Sequence, residues 1–268
     1  MAESLRTAVI QVSAGQDKLK NVLRANKLVR SAAEKGAKFI LLPEVFNARA
    51  PINSASELKE IFEPIPGFST QEFFKIAKSH RVFILAGSIL ERAEDRKAFN
   101  TSLLISPQGK IAARYRKQNL FDARVSGKAL KESRFILKGK NNATTDVFGF
   151  KVGLSICYDL RFTSLYDRYR KQGVDIICVP ASFTASTGRA HWEVLLRARA
   201  IENQCYVLAP NQAGRDGKGV KTYGHSMIVD PWGKIIGKAD RENEKILYAV
   251  LSKKNIIKAN KILPSIRY

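Results

Sequence analysis

Cys157 has the position in this sequence that best suits a catalytic nucleophile. An apolar run over residues 152–156 predicts a buried strand that ends at this cysteine, and a helical pattern follows through Leu165. A thiol at such a junction is held by rigid neighbours, and the N-terminus of the following helix stabilises negative charge near it. Packing is the alternative role, because an unpaired cysteine is among the most frequently buried residues.

Two kinds of base could activate this thiol. A thiol nucleophile must lose its proton, and an amine that leaves must gain one. His191, near the start of a predicted helix, makes a cysteine–histidine hydrolase possible on the residues alone. Glu44 follows an apolar strand and Pro43, where burial would make its carboxylate a stronger base; a solvated loop carboxylate is the alternative. Lys117 follows a predicted hairpin and could be a catalytic cation or one more solvated charge.

The other cysteines and the termini indicate where the protein functions. Cys178 and Cys205 lie within apolar strands and are predicted to be core residues. The chain contains three cysteines, an odd number with no CxxC pair, which argues for a reducing compartment and against a structural zinc site. The apolar run near the N-terminus is too short for a signal peptide, and no stretch approaches the length of a membrane span. We expect a cytoplasmic protein that does not associate with membranes.

The net charge of +22 and the pI of about 10.1 raise the question of a nucleic-acid partner. The basic residues are spread along the whole chain, and no helix-turn-helix, zinc-finger or aromatic RNA-binding pattern is present. A general lysine bias explains this composition better, so we expect no nucleic-acid partner. One local excess lies between residues 110 and 140, where only Asp122 and Glu132 are acidic.

The elements that must position these side chains alternate between strands and helices. Amphipathic spacing predicts a helix over residues 17–34, with an apolar face made of Leu19, Val22, Leu23, Val29, Ala32 and Ala33. Residues 117–142 show no clear period, so we expect a long functional loop there. The chain has neither a linker nor a repeat, which favours a single domain over residues 1–268 in which helices cover mixed sheets.

Three motifs together resemble the nitrilase superfamily of carbon–nitrogen hydrolases over essentially the full chain. They are LLPE at residues 41–44, YRKQNLFD at residues 115–122 and GLSICYDLR at residues 153–161, in the order that the family has them. The resemblance implies an α/β fold of the four-layer αββα type, assembled as a homodimer or a larger homo-oligomer. It also implies a small-molecule amide substrate and a reaction that needs neither a metal nor another cofactor.

The resemblance assigns roles to residues that match the family's motifs. Glu44 would be the general base, Lys117 the stabiliser of the tetrahedral oxyanion, and Cys157 the nucleophile. The family's second glutamate falls on Glu132, which would orient the substrate and the other catalytic groups. The backbone N–H of Tyr158 would be a second donor to the oxyanion. Water would then hydrolyse the resulting thioester.

Two later segments narrow the resemblance to one branch. Residues 183–207 and 223–233 are most similar to the branch that contains deaminated glutathione amidases, which release α-ketoglutarate and cysteinylglycine. In this branch His191 would be a residue near the site rather than a catalytic group. Two alternatives are an ω-amidase or another small-amide or carbamoyl hydrolase of the same superfamily, and a basic binding protein without catalysis.

A substrate with two carboxylates would need cationic partners. The expected pair is Arg124 or Arg134 together with Arg161 or Arg189, because guanidinium groups bind carboxylates through two parallel hydrogen bonds. A solvated basic loop is the alternative for each of them.

The sequence departs from the family at several positions that shape the pocket. Asn119 replaces the usual histidine of the lysine motif, and Thr163 and Arg189 replace two prolines of the branch. The loop over residues 123–131 is one residue shorter than expected. None of these changes removes a catalytic group, so they concern the substrate rather than the reaction.

Overall fold

The computed structural model of the chain describes residues 3–49, 61–94, 96–125, 128–217 and 219–264. Two mixed β-sheets lie face to face, and helices cover their outer faces. This arrangement is the four-layer αββα sandwich that the motifs predict. None of the helices in these ranges combines the length and the apolar composition needed to cross a lipid bilayer.

The strands of the described ranges are, in chain order, β1 (Ser4–Gln11), β2 (Phe39–Leu41), β3 (Phe83–Leu85), β4 (Ile89–Arg92), β5 (Ala98–Ile105), β6 (Ile111–Arg116), β7 (Asp122–Val125), β8 (Lys128–Lys131), β9 (Ile136–Leu137), β10 (Thr144–Val147), β11 (Phe150–Leu154), β12 (Ile176–Cys178), β13 (Tyr206–Ala209), β14 (Met227–Val229), β15 (Ile235–Lys238) and β16 (Lys245–Ser252). The α-helices of the same ranges are α1 (Lys18–Glu34), α2 (Gln71–His80), α3 (Thr163–Lys171), α4 (Ala185–Asn203) and α5 (Lys253–Ile262). Short 3₁₀ helices cover Glu132–Arg134 and Cys157–Arg161.

Both large sheets combine parallel and antiparallel pairs. The first has eight strands, in the order β16-β1-β2-β3-β5-β4, with β6 and β9 also paired to β5. The second has six strands, in the order β10-β11-β12-β13-β14-β15. Strands β1, β2 and β3 are mutually parallel, as are β11, β12 and β13, while the strands at the edges are antiparallel.

The first sheet is buried on both faces, which explains why its central strands are wholly apolar. Successive side chains of a strand point to opposite faces. Val9 and Leu41 therefore pack between the two sheets, while Ile10 and Ile40 pack against α1 and α2. The second sheet contributes β11, β12 and β13 to the inter-sheet core, and α3 and α4 cover its other face.

Helix α1 forms where its spacing predicts, and four of the six residues expected on its apolar face are buried. Asp17 caps its N-terminus by accepting a hydrogen bond from the Lys20 N–H at 2.9 Å. Val22, Ala25, Val29, Ala32 and Ala33 are buried, whereas Leu19 and Leu23 are 56% and 60% exposed. The prediction for the two leucines was wrong, because small side chains let the helix approach the sheet along a neighbouring stripe.

The segment predicted as one long loop contains regular structure. Strands β7 and β8 form an antiparallel hairpin, the first 3₁₀ helix follows, and β9 pairs in parallel with β5. The exposed charges of Asp122, Arg124 and Lys131 interrupt the hydrophobic period by which a strand is recognised in a sequence. After β16, helix α5 begins at Lys253 and is capped by Ser252, whose hydroxyl accepts a hydrogen bond from the Lys254 N–H.

The candidate catalytic side chains follow the ends of three strands. Glu44 comes after β2, Lys117 directly after β6, and Cys157 after β11. Ligand sites of open α/β sheets lie outside the carboxyl ends of parallel strands, and both β2 and β11 are parallel to a neighbour. The fold therefore brings residues that are far apart in sequence to one edge.

Gly139 lies against the end of β6, where Lys117 leaves the sheet. Its N–H donates to the Lys117 carbonyl at 2.8 Å, and a Cβ at this position would lie 2.0 Å from the Arg116 carbonyl oxygen. Because that oxygen belongs to the backbone, we expect Gly139→Ala to lower the free energy of unfolding by about 1–3 kcal/mol, measured by urea denaturation.

Gly15→Ala is the control for this substitution, because a Cβ at Gly15 would meet no atom within 4 Å. We expect it to change the free energy of unfolding by less than about 0.5 kcal/mol. If both variants unfolded at the same urea concentration as the original protein, the contact between Gly139 and β6 would not constrain the backbone.

Candidate active site

A pocket of about 320 Å³ opens at this edge of the sheets, a volume suited to a small molecule. The pocket is lined by Glu44, Lys117, Glu132 and Cys157, so the structure brings together the four side chains to which the family resemblance assigns roles. Within the described ranges, no three His, Cys, Asp or Glu side chains are grouped so that they could hold a metal ion.

The Lys117 ammonium lies at the centre of this group. Its Nζ donates to Glu44 Oε1 at 2.9 Å and to Glu132 Oε1 and Oε2 at 3.1 and 2.9 Å. The Lys117 side chain is 2% exposed, so almost no water solvates its charge. The backbone N–H of Lys117 donates to the Asn100 carbonyl at 2.9 Å, which continues the pairing of β6 with β5.

Glu44 is buried and uses both carboxylate oxygens. Oε1 accepts from Lys117 and from Asn100 Nδ2, the latter at 2.8 Å, and Oε2 accepts from the Ser182 N–H at 2.9 Å. Gln212 Nε2 donates to the Glu44 carbonyl at 2.9 Å and fixes the backbone as well. These contacts join the chain after β2 to the chain after β12 and β13.

Glu132 begins the first 3₁₀ helix, directly after the β7–β8 hairpin. Its Oε2 accepts from the Phe121 N–H at 2.7 Å, and its Oε1 accepts from Asn100 Nδ2 at 3.3 Å. Its side chain is 18% exposed, so it is more open to the pocket than Glu44. The segment expected to be an irregular loop thus supplies one of the two carboxylates around Lys117.

Cys157 occupies a turn that few residues adopt. Its φ is +46°, in the left-handed region, and its N–H donates to the Pro180 carbonyl at 2.9 Å. A residue with a side chain is held in this region only when its surroundings determine it, and such residues cluster at functional sites. The turn directs the thiol into the pocket, while Cys178 and Cys205 are fully buried.

The carboxylate of Asp159 anchors the turn to the lysine motif. One oxygen accepts from Tyr115 Oη at 2.7 Å and from the Ile156 N–H at 3.0 Å. The other accepts from the backbone N–H and from Nδ2 of Asn119, both at 2.9 Å. Asn119 therefore satisfies this buried carboxylate and connects the lysine motif to the turn of Cys157.

The surroundings of Cys157 hold its thiol in the protonated form. Burial and the negative charge of Glu44 raise the pKa of Cys157 well above its ordinary value. The positive charge of Lys117 and the Ser182 N–H lower it, but by less. The thiol is therefore neutral at pH 7 and must give up its proton during any reaction.

At Lys117, burial and the neighbouring charges shift the pKa in opposite directions. Burial by itself would lower the pKa of this amine, but the charges of Glu132 and Glu44 outweigh burial and raise the pKa well above its ordinary value. Lys117 is therefore a permanent cation and unsuited to act as a base at neutral pH. Proton transfer falls to the carboxylates.

The Tyr158 N–H is available for a ligand. Its neighbours in the turn donate within the protein, Cys157 to Pro180 and Asp159 to the Ile156 carbonyl. Within the described ranges, the Tyr158 N–H has no protein acceptor. Tyr158 lines the pocket beside the thiol, as the role of second oxyanion donor requires.

Of the four arginines considered for substrate binding, the structure places Arg161 in the pocket wall. Its Nη1 lies 3.2 Å from His191 Nδ1, so His191 contacts a pocket residue rather than the thiol. Arg124, Arg134 and Arg189 are exposed and do not line the pocket, because they lie on the outer hairpin, the 3₁₀ helix and the solvent side of α4.

Asn100 and Ser182 belong to the site, although the sequence reading missed them. Asn100 Nδ2 contacts both Glu44 and Glu132, and its Oδ1 is buried without a hydrogen-bond partner in the described ranges. A polar amide inside the mostly apolar β5 was a signal that could have identified it. The Ser182 N–H is a backbone contact after β12, which no side-chain pattern could reveal.

The fold and this pocket together define a class of hydrolase. An αββα sandwich with a buried Glu–Lys–Glu group beside a cysteine is the arrangement that the three motifs predict for the nitrilase superfamily. The chain belongs to the carbon–nitrogen hydrolase family, whose model matches residues 6–261. It is an amidase of the nitrilase superfamily, as its named relatives are.

Relatives with two different names are equally similar to the chain. The human omega-amidase NIT2 is 38% identical over 98% of this chain and 94% of its own. A deaminated glutathione amidase from Synechocystis sp. is 38% identical over 97% of this chain and 96% of its own. The crystal structure of Saccharomyces cerevisiae Nit3, a member of branch 10 of the superfamily, matches with a TM-score of 0.87 at 30% identity, covering 99% of this chain and 96% of that one.

The two charges next to Cys157 should shift its pKa in opposite directions. Removing the negative charge by Glu44→Gln is expected to lower the thiol pKa, and removing the positive charge by Lys117→Met is expected to raise it. The measurement is the pH titration of thiolate absorbance, from which the Cys157→Ala signal is subtracted. Shifts in the same direction would contradict the charge arrangement described here.

Asn100→Ala tests whether this amide orients the two carboxylates. Loss of a hydrogen bond to a charged group costs about 1.5–3 kcal/mol, so we expect kcat to fall roughly tenfold to hundredfold, measured by steady-state hydrolysis. Ser102→Ala in the same strand is the control, because the Ser102 hydroxyl is buried without a partner in the described ranges. Equal kcat values for the two variants would remove Asn100 from the positioning of the site.

Proposed function

We propose that the protein is a cysteine-dependent amidase that hydrolyses a small anionic amide through a thioester acyl-enzyme. The observation that carries this proposal is the Lys117 ammonium, held between Glu44 and Glu132 beside Cys157. The arrangement supplies a nucleophile, a base and a fixed cation within one pocket, and these are the groups that acyl transfer requires.

The first step is the attack of Cys157 on the amide carbon. Glu44 takes the thiol proton as the sulfur attacks, because the thiol is neutral at rest and Glu44 is the carboxylate beside it. The negative charge moves from the base to the carbonyl oxygen of the substrate. The Lys117 ammonium and the Tyr158 N–H stabilise that oxygen, and one such donor contributes roughly 3 kcal/mol.

The second step releases the amine. Glu44 returns its proton to the leaving nitrogen, and a thioester remains on Cys157. Water then attacks the thioester carbon while Glu44 takes a proton from it. The carbon–sulfur bond breaks to free the acid, and Glu44 gives that proton to the departing Cys157 sulfur, which restores the thiol. Glu132 keeps Lys117 in place through both steps, because it accepts hydrogen bonds from Nζ with both oxygens.

The substrate is expected to carry a carboxylate, which Arg161 would bind in the pocket wall. We take deaminated glutathione as the first candidate substrate, in agreement with the residues 183–207 and 223–233 and with the Synechocystis relative. An ω-amide such as α-ketoglutaramate is the second candidate, because the human relative is named an omega-amidase and is equally similar.

A panel of amides tests the activity and separates the two candidates. The wild-type protein should release cysteinylglycine from deaminated glutathione or ammonia from α-ketoglutaramate, with the larger kcat/KM identifying the substrate class. Cys157→Ala should lower kcat by at least about 10³-fold on either amide, because covalent catalysis is lost. Mass spectrometry of the wild-type protein, quenched during turnover, should detect the acyl group on Cys157.

Cys178→Ala serves as the control, since that thiol is fully buried and distant from the pocket lining. If Cys157→Ala and the wild-type protein hydrolysed these amides equally fast, the proposed mechanism would be wrong. Hydrolysis of neutral amides only would support the mechanism but contradict the anionic substrate.

A further inference from the structure

Arg49 is a buried cation in the wall of the catalytic pocket. It is 6% exposed and lines the same cavity as Cys157. A guanidinium has five N–H donors. Within the described ranges, that of Arg49 donates a single hydrogen bond, from Nη1 to the Ala213 carbonyl at 3.2 Å. The negative charges of Asp216 and Glu44 also act on this guanidinium.

This arrangement is costly for the free protein. Burial lowers the pKa of Arg49 to about 10, although the charges of Asp216 and Glu44 act to raise it. The group is still a cation at neutral pH. A buried charge that lacks a close partner destabilises a protein, whereas one that faces a pocket can be paired by a ligand.

The backbone around Arg49 is fixed on both sides. The Arg49 N–H donates to the Gly15 carbonyl at 2.9 Å, and the Gly217 N–H donates to the Arg49 carbonyl at 2.8 Å. A Cβ at Gly217 would lie 2.9 Å from that carbonyl oxygen, so only glycine permits this approach. The backbone that carries the Arg49 side chain is therefore fixed before a ligand binds, so no backbone conformational entropy is lost on binding.

We propose that Arg49 binds a carboxylate of the substrate, so that the pocket selects amides with two carboxylates, one paired with Arg49 and one with Arg161. This inference rests on the proposed amidase function. It assigns a specificity-determining role to a residue outside the three motifs. A planar guanidinium binds a carboxylate through two parallel N–H···O bonds. Among the residues that the structure describes, only Nη1 of Arg49 donates a hydrogen bond, which leaves donors for such a pair. An amide with one carboxylate would leave one of the two cations unpaired.

The test combines variants of Arg49 with three amides. One amide has a carboxylate at each end, and in each of two analogues a neutral carboxamide replaces one carboxylate. We expect Arg49→Met to raise KM for the dianionic amide at least tenfold. With one of the two analogues this effect should disappear, because the carboxylate that Arg49 pairs is already missing. Arg49→Lys, which keeps the charge but not the fork, should give an intermediate KM.

Arg215→Met is the matched control, because Arg215 is an exposed arginine of the neighbouring loop that does not line the pocket. It should change KM for the dianionic amide by less than twofold. If Arg49 served only to position the backbone at Ala213, to which it donates a hydrogen bond, Arg49→Met would raise KM for all three amides by the same factor. That result would overturn the proposal. An unchanged KM for the dianionic amide would overturn it equally.

A binding measurement keeps this result separate from the proposed reaction. Calorimetry would compare the Cys157→Ala variant with the double variant Cys157→Ala/Arg49→Met. We expect the double variant to have an at least tenfold larger Kd for the dianionic amide, and thermal unfolding would confirm that both proteins are folded. If Arg49→Met did not fold, the same comparison would be made with Arg49→Lys. Absence of turnover by the wild-type protein would contradict the proposed function. Equal Kd values for Cys157→Ala with and without Arg49→Met would contradict the role of Arg49.

Discussion

The buried ion group around Lys117 is the interaction on which the site and much of the fold depend. Removing a charge from water costs several kcal/mol, and only close partners of opposite charge compensate for it. Lys117, at 2% exposure, therefore needs Glu44 and Glu132 within hydrogen-bond distance. Loss of one partner would leave an uncompensated charge, at a cost of about 3–5 kcal/mol. The chain after β2, the end of β6 and the first 3₁₀ helix must meet at one point for the protein to be stable.

A second buried group determines where the thiol points. Asp159 accepts hydrogen bonds from Tyr115, from Ile156 and twice from Asn119. These contacts connect the turn of Cys157 to the lysine motif, so the left-handed backbone at Cys157 is imposed by its surroundings. In the proposed reaction, rigid positioning of the Cys157 thiol, the Glu44 carboxylate and the Lys117 ammonium would remove much of the reorganisation that the same reaction in water requires.

The high positive charge separates into groups with different surroundings. Arg114 and Arg116 of the basic segment pair with the buried carboxylate of Glu91, at 3.3 and 2.7 Å, and so belong to the sheet rather than to a ligand site. The guanidinium of Arg116 also lies 3.8 Å from the centre of the Phe99 ring. Arg49 and Arg161 line the pocket, where Arg49 is buried and Arg161 is half-buried, so these two charges differ in surroundings from the exposed surface charges.

The residues alone predicted the fold class, the family, and Cys157 with three side chains around it, because short motifs at strand ends indicate which residue types meet there. They also predicted α1 and the apolar strands next to the motifs, since an apolar run is a local signal. The other features depend on contacts between distant segments. The hairpin that carries Glu132, the contacts of Asn100 and Ser182, and the burial of Arg49 arise from pairing between segments far apart in the chain. Neither the hydrophobic period nor the charge of a segment indicates such pairing. Arg124 and Arg49 are identical in type, yet Arg124 is exposed and Arg49 is buried.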